Sequence, residues 1–296
     1  MPLVQDRVVV TAALTGVLAT REQCPYLPYT PAEIGEEARR AHEAGAAVVH
    51  IHGRAPDGGP TWSAETYAEI KREVQARSPI IVNFSTGGFN MGTESEAEKT
   101  ERLGYVRKTR PEMAALNMGS MNYAKYSAGR KAFVFDLVFP NPFGDILLAA
   151  QAMREGGVKP ELECFDLGHV ANAEPLLQMG ALQRPLQYSF VLGVLGGAPP
   201  SAETLAAMAR AIGREDTWEI IGIGRAQWRL VGAALALGGN VRVGLEDNFY
   251  LDAAGTEMAK GNGPLVEKAV RMARDMGREP MSADEARNAL AIPQSW

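Results

Sequence analysis

Eight short apolar runs rich in β-branched residues recur along this chain, each followed by an amphipathic or helix-capped stretch, and this alternation constrains the fold most. The runs begin near Val8, Ala46, Pro79, Met113, Glu161, Leu186, Thr217 and Asn240. Between and after them the pattern predicts helices over 31–44, 63–77, 94–108, 145–156, 173–179, 202–213, 226–237 and 264–276. Parallel strands cannot be joined by a tight turn, so strand–helix repetition of this kind builds a parallel sheet. Eight units in about 250 residues fit a closed (β/α)8 TIM barrel better than an open doubly wound sheet. The first helix announces its own boundaries: Thr30-Pro31-Ala32-Glu33 is a capping box with proline at the first helical position, and Gly45 stands where the helix should stop. The segment 131–139 is a further strand-like run, which this scheme assigns to a long connection. Residues from Ser282 to Trp296 read as a short terminal helix and tail. With no linker or composition break, residues 1–296 are expected to form one barrel domain with that helical tail.

Composition narrows the partners. The 296 residues are 46% hydrophobic, enough for a large core, and a net charge of -5 with no run of Lys or Arg gives no footprint for nucleic acid. The start, MPLVQDRVVVTAALTG, has no basic region before its apolar stretch, and no window approaches the ~20 apolar residues of a membrane span. Neither export nor insertion is expected. Cys24 and Cys164 are too few for a disulfide framework or a thiolate metal cage, which fits a cytoplasmic protein.

In a barrel of this type the chemistry lies at the carboxyl ends of the strands, so the informative residues are the polar ones that close each apolar run. The second run ends His50-Ile51-His52, and residues two apart on an extended chain face the same side. Two neutral imidazoles aimed at one point are good ligands for zinc or a similar divalent ion, and a catalytic centre needs one more protein ligand with a position left open. The eighth run supplies Glu246, with Asp247 beside it. The alternative for the histidines is a pair of ordinary polar positions satisfied by backbone. The seventh run closes on Arg225, placed to face Asp247 and either orient it, stabilise oxyanion charge, or serve as a strut closing the barrel. After the third run, Ser85-Thr86-Gly87-Gly88 is a small-residue turn whose N–H groups and hydroxyls can receive a carboxylate. After the fourth, the stretch from Asn117 through Ser120 to Asn122 brings small polar groups to the mouth. Asp166 closes the fifth as either a supporting acid or a helix cap. His42 falls inside the first helix, where packing or solvation suits it better than catalysis. His169 lies in a loop that permits substrate contact. Neither cysteine has a histidine beside it in sequence, and Cys164 reads as core.

Taken in order, TAALTG, VVHIHGR, NFSTGG, LNMGSMN, GIGR and GLEDN resemble the β-keto acid cleavage enzyme family over nearly the whole length. The resemblance implies a zinc-dependent barrel that takes a β-keto acid and acetyl-CoA to acetoacetate and a new acyl-CoA. It implies zinc ligation by His50, His52 and Glu246, and Asp247 as general base held by Arg225. It also implies carboxylate and oxyanion contacts from Ser85 and its glycine turn, and a homotetramer. Ser120 falls where the family often has threonine. In the family's proposed chemistry the metal acidifies the C–H between keto and carboxylate groups and the enolate attacks the acetyl thioester. CoA then passes to the former keto carbon and a retro-Claisen step releases acetoacetate.

One departure bears on the substrate. Members that cleave the aminohexanoate read TAA-x-TG-x-E, with the glutamate pairing the substrate ammonium, whereas this chain has Leu18 at that place. An ammonium facing leucine is desolvated without a partner, which costs several kcal/mol. A neutral, apolar tail is therefore expected. Arg21 could reach back to receive an anionic tail instead, although the family pattern often has arginine at that place. The rival reading is an amidohydrolase-type metal hydrolase, which also starts from a strand-end His-X-His pair. Such enzymes usually add further histidines and often a carbamylated lysine, and only His42 and His169 remain here. An inert barrel acting as a binding protein is disfavoured by the intact ligand, base and arginine positions.

Overall fold

Each of the eight apolar runs forms a barrel strand: β1 (Val10–Ala13), β2 (Val48–Ile51), β3 (Ile81–Phe84), β4 (Met113–Asn117), β5 (Lys159–Cys164), β6 (Gln187–Leu192), β7 (Thr217–Gly222) and β8 (Asn240–Val243). The computed structural model describes residues 6–87 and 94–293. All neighbouring strands pair in parallel and the sheet closes, β8 pairing with β1 through Val241–Val10 and Val243–Ala12. The TIM-barrel expectation is met.

Period-two alternation explains the layering. Val10, Ala12, Val49, Ile51, Val82 and Phe84 point outward into the core shared with the helices. The residues between them point inward, shown by hydrogen bonds that cross the interior between strands that are not neighbours. Thr11 of β1 donates to Glu219 of β7 at 2.7 Å, and Asn83 of β3 donates to Glu161 of β5. The middle of the barrel is therefore polar. Its amino-terminal end is apolar, where Val9, Val48, Ile81 and Met113 pack against Ala286, Leu290 and Ile292 of the terminal helix region (Ala283–Ala289).

The first helix (Pro31–Glu43) starts as its sequence dictates: Thr30 accepts from the Glu33 N–H, and Glu33 accepts from the Thr30 N–H at 2.9 Å. The stretch expected as one helix over 94–108 is instead two, Glu96–Arg102 and Gly104–Thr109, broken at Leu103 where the chain meets Gly104. The unplaced run is the second strand of an antiparallel hairpin, Met121–Ser127 with Ala132–Phe139, inserted after β4. It roofs one side of the barrel mouth, with Met121 and Phe139 packed on Phe165, Val191 and Ile221.

Candidate metal centre and active site

His50 is the third residue of β2 and His52 follows its end, so strand geometry alone sends both rings to the barrel axis, with centroids 5.2 Å apart. Glu246 comes from the far end of the chain but from the adjoining side of the barrel, because β8 and β2 flank β1. Its Oε1 lies 3.6 Å from His50 Nε2 and 3.3 Å from His52 Nε2, and the three ligand atoms fall within 4.8 Å of one another. A turn at Gly244 delivers it. Gly244 has φ 145°, and an added Cβ would stand 2.2 Å from the Ala13 carbonyl oxygen. Gly244→Ala is therefore expected to cost about 1–3 kcal/mol or more and to move Glu246 off the imidazoles. Thermal denaturation together with metal analysis checks this, and a variant with native stability and metal content would contradict it.

The loop after β1 braces the same carboxylate. Gly16, at φ 56°, donates its N–H to Glu246 Oε2 at 3.1 Å, and a side chain there would crowd the Glu246 Cγ. Thr15 Oγ1 accepts from the His52 N–H at 2.9 Å, tying the first loop to the second. Arg54, buried and absent from the sequence reading, donates to the carbonyls of Thr15, Gly16, Ala19 and Gly58 and pins that loop from beneath.

The partner of Asp247 is not the arginine expected. Arg242, at the third position of β8 and only 2% exposed, donates to both Asp247 oxygens at 3.0 Å, to Glu246 Oε1 at 2.6 Å and to Glu163 Oε1 at 3.4 Å. Arg225 lies one turn beyond β7 in a short 3-10 segment, exposed, with its guanidinium beside Gly255. It makes no ion pair with Asp247. The reason is geometric: Arg242 occupies an inward strand position, whereas the chain carrying Arg225 turns into a 3-10 segment that sets its guanidinium beside Gly255.

Other expected residues divide similarly. Ser85, Gly87 and Leu18 line the cavity over the histidines. Thr86 turns away, donating to the Ala115 carbonyl at 2.5 Å. Gly88 lies outside the described residues. Ser120 accepts from the Asn141 N–H at 2.7 Å and closes the base of the hairpin, and Asn122 is exposed on its strand. Asp166 resolves to a helix cap, exposed and accepting from the Gly168 N–H. His169 is buried against Gly119, with Nδ1 facing the Phe165 N–H and Nε2 facing the Ser120 carbonyl, both structural contacts. His42 sits by the Ala46 carbonyl on the first helix. Arg21 is engaged by Glu33 at 2.6 Å and by the Tyr29 ring. Missed by sequence were Arg242, Arg54, and the glutamates Glu161 and Glu163 of β5; Asn117, which opens the small-residue stretch after β4, lines the cavity beside Ser85.

Electrostatically the centre suits a cation. Burial lowers the His50 pKa, leaving a neutral imidazole. Burial alone would raise Glu246, but Arg242 and the two histidines hold it well below the usual carboxylate range. Burial lifts Asp247 to about 7 against the pull of Arg242, and burial with Glu161 lifts Glu163 to about 8. The donor set fits a divalent ion on a second observation. His50 Nδ1, buried and without a hydrogen-bond partner, faces Glu161 Oε2 at 3.8 Å, the histidine–carboxylate arrangement that metal-bound imidazoles use.

Fold and site together define a (β/α)8 barrel whose strand-end imidazoles and carboxylate can seat a divalent ion beside a buried, arginine-clamped aspartate. A family model described as beta-keto acid cleavage enzyme matches residues 7–292, and the chain belongs to that family. It is 38% identical over 288 residues to the 3-keto-5-aminohexanoate cleavage enzyme of Fusobacterium nucleatum, covering 97% of this chain and 98% of that one. It is 34% identical over 304 residues to the 3,5-dioxohexanoate:acetyl-CoA acetone transferase of Paraburkholderia graminis, covering 97% and 96%. Among solved structures, apo ObcA superposes with a TM-score of 0.74 at 23% identity, covering 90% of this chain and 66% of that one, a likeness of fold.

Proposed function

We propose that this protein cleaves a β-keto acid with acetyl-CoA, yielding acetoacetate and a new acyl-CoA, at a zinc centre held by His50, His52 and Glu246. The observation that carries the reading is the convergence of those three donors beside Asp247, in a chain of this family. A divalent ion bound there supplies the Lewis acidity that makes the C–H between keto and carboxylate groups removable. Asp247 is the base for that proton: both its oxygens are oriented by Arg242, and each keeps a lone pair. Ser85 and Asn117 present a hydroxyl and an amide to the substrate carboxylate and to developing oxyanion charge. No enzyme nucleophile is needed, because the thioester is the electrophile and CoA the group that departs and returns.

The substrate tail faces an apolar wall of Phe139, Phe165, Val191 and Ile221, with Leu18 at the mouth, 53% exposed. A neutral, apolar tail suits this wall, since a charge there would be desolvated against hydrocarbon. With acetyl-CoA, 3-oxohexanoate is expected to exceed 3-oxo-5-aminohexanoate in kcat/KM by at least about tenfold, equivalent to ~1.4 kcal/mol. Leu18→Glu should narrow or reverse that preference. Exhaustive treatment with a chelator should abolish turnover and zinc restore it. Full activity after metal stripping, or hydrolysis without acetyl-CoA, would sink the reading. The hydrolase alternative lacks support in the site, because His42 and His169, the two remaining histidines, are both engaged away from it. Among the described residues no helix is long and apolar enough to cross a membrane. The family resemblance extends the proposal to a cytoplasmic homotetramer, which ultracentrifugation of the purified protein tests.

A further inference from the structure

Beneath the proposed centre the interior holds a second acidic group that the reaction does not consume. Glu161 Oε1 lies 2.6 Å from Ser189 Oγ, and its Oε2 accepts from the Asn83 amide and faces His50 Nδ1. The same Ser189 Oγ lies 3.1 Å from Glu219 Oε1, while Thr11 donates to Glu219 Oε2. A hydroxyl has one proton. If Ser189 gives it to the closer partner, Glu161, then Glu219 must itself carry a proton to bond Ser189, and burial and the nearby Glu161 charge push Glu219 the same way. The bonds then run in one direction, from Glu219 through Ser189 to Glu161, and leave a single negative charge under His50.

Resting on the metal centre proposed above, we infer that Glu161 is a positioning residue: it takes the Nδ1–H of His50 and so presents a bare Nε2 to the metal. Only about 1 Å of closure turns the 3.8 Å approach into a hydrogen bond. His50 Nδ1 has no other partner among the described residues. The pair that holds Glu161 is specific about direction. In Glu161→Gln, Ser189 keeps the amide oxygen on its own side, so the new NH2 group must face His50 and Asn83. Asn83 can turn its unpartnered Oδ1 toward it, but His50 must then offer a lone pair at Nδ1, which moves its proton to Nε2. In Glu219→Gln the amide replaces the acid group for group, donating to Ser189 and accepting from Thr11.

Two measurements on the whole protein test this. Zinc affinity is read by competition with a chromogenic chelator, and the His50 tautomer by long-range 15N–1H correlation in the metal-free protein. Wild type should carry the proton on Nδ1, because Glu246 Oε1, 3.6 Å from Nε2, is already engaged by Arg242 at 2.6 Å. Glu161→Gln should bind zinc about 10- to 100-fold more weakly and show the proton on Nε2, whereas Glu219→Gln should stay within about threefold of wild type on the same physical grounds. Unchanged affinity in Glu161→Gln, an equal loss in Glu219→Gln, or an Nε2–H tautomer in wild type would each overturn the assignment. The wild-type tautomer requires no variant, so the test stands even if Glu161→Gln does not fold. Failure of wild type to bind zinc at all is a different result, and removes the metal centre itself.

Discussion

Asp247→Asn is expected to lower kcat by about 10²–10⁴-fold while zinc affinity changes by no more than a few fold. The substitution keeps shape and removes the proton acceptor. Arg242 donates to both Asp247 oxygens, so an asparagine can keep its carbonyl on the Arg242 Nη2 that also holds Glu246 and set its NH2 against Nε. The effect should therefore fall on kcat rather than on metal binding or KM. Steady-state kinetics alongside chelator competition separates the two, and a variant within tenfold of wild type would require another base. Glu163, which also lines the cavity, is the residue such a result would indicate.

Arg242→Met should be more damaging to the protein than to any single step. This guanidinium is the shared counter-ion of Glu163, Glu246 and Asp247, and it is almost wholly buried. Removing one partner from a buried ionic group leaves the others uncompensated, which typically costs about 3–5 kcal/mol. The midpoint of urea unfolding should fall accordingly with the slope unchanged. Activity should vanish even where the variant is folded, because Glu246 and Asp247 lose the group that separates and aims them. A loss below about 1 kcal/mol would mean that the three carboxylates have another source of compensation. Arg225→Met, by contrast, removes an exposed side chain and is the natural control for the original expectation.

The difference between these two arginines shows how far sequence reaches. The barrel was legible because its signal is repeated: eight apolar runs, helix caps such as Thr30–Glu33, and lengths that leave little choice of topology. His50 and His52 were legible because two imidazoles two residues apart on a strand are conspicuous. The same spacing carries Glu161 and Glu163 in β5, and the same logic would have placed both inside the barrel, but within an apolar run they read as core strand. Arg242 was hidden in the same way, a charge in the middle of a buried strand rather than at its end. Asp166, open between acid and helix cap, and Ser120 were ambiguous for the opposite reason. Strand ends are also helix beginnings and loop bases, and the residue types that cap helices are those that line active sites. Neither the chain's spacing nor its composition distinguishes the two uses; the direction of each Cβ does.

Because Glu246 reaches His50 and His52 only through the docking of β8 against β1, the three donors cannot meet until the last strand has been made and seated. A growing chain therefore holds the two imidazoles without their carboxylate until residue 246 has been added. An ion taken up at this centre would thus be loaded only once the barrel has closed.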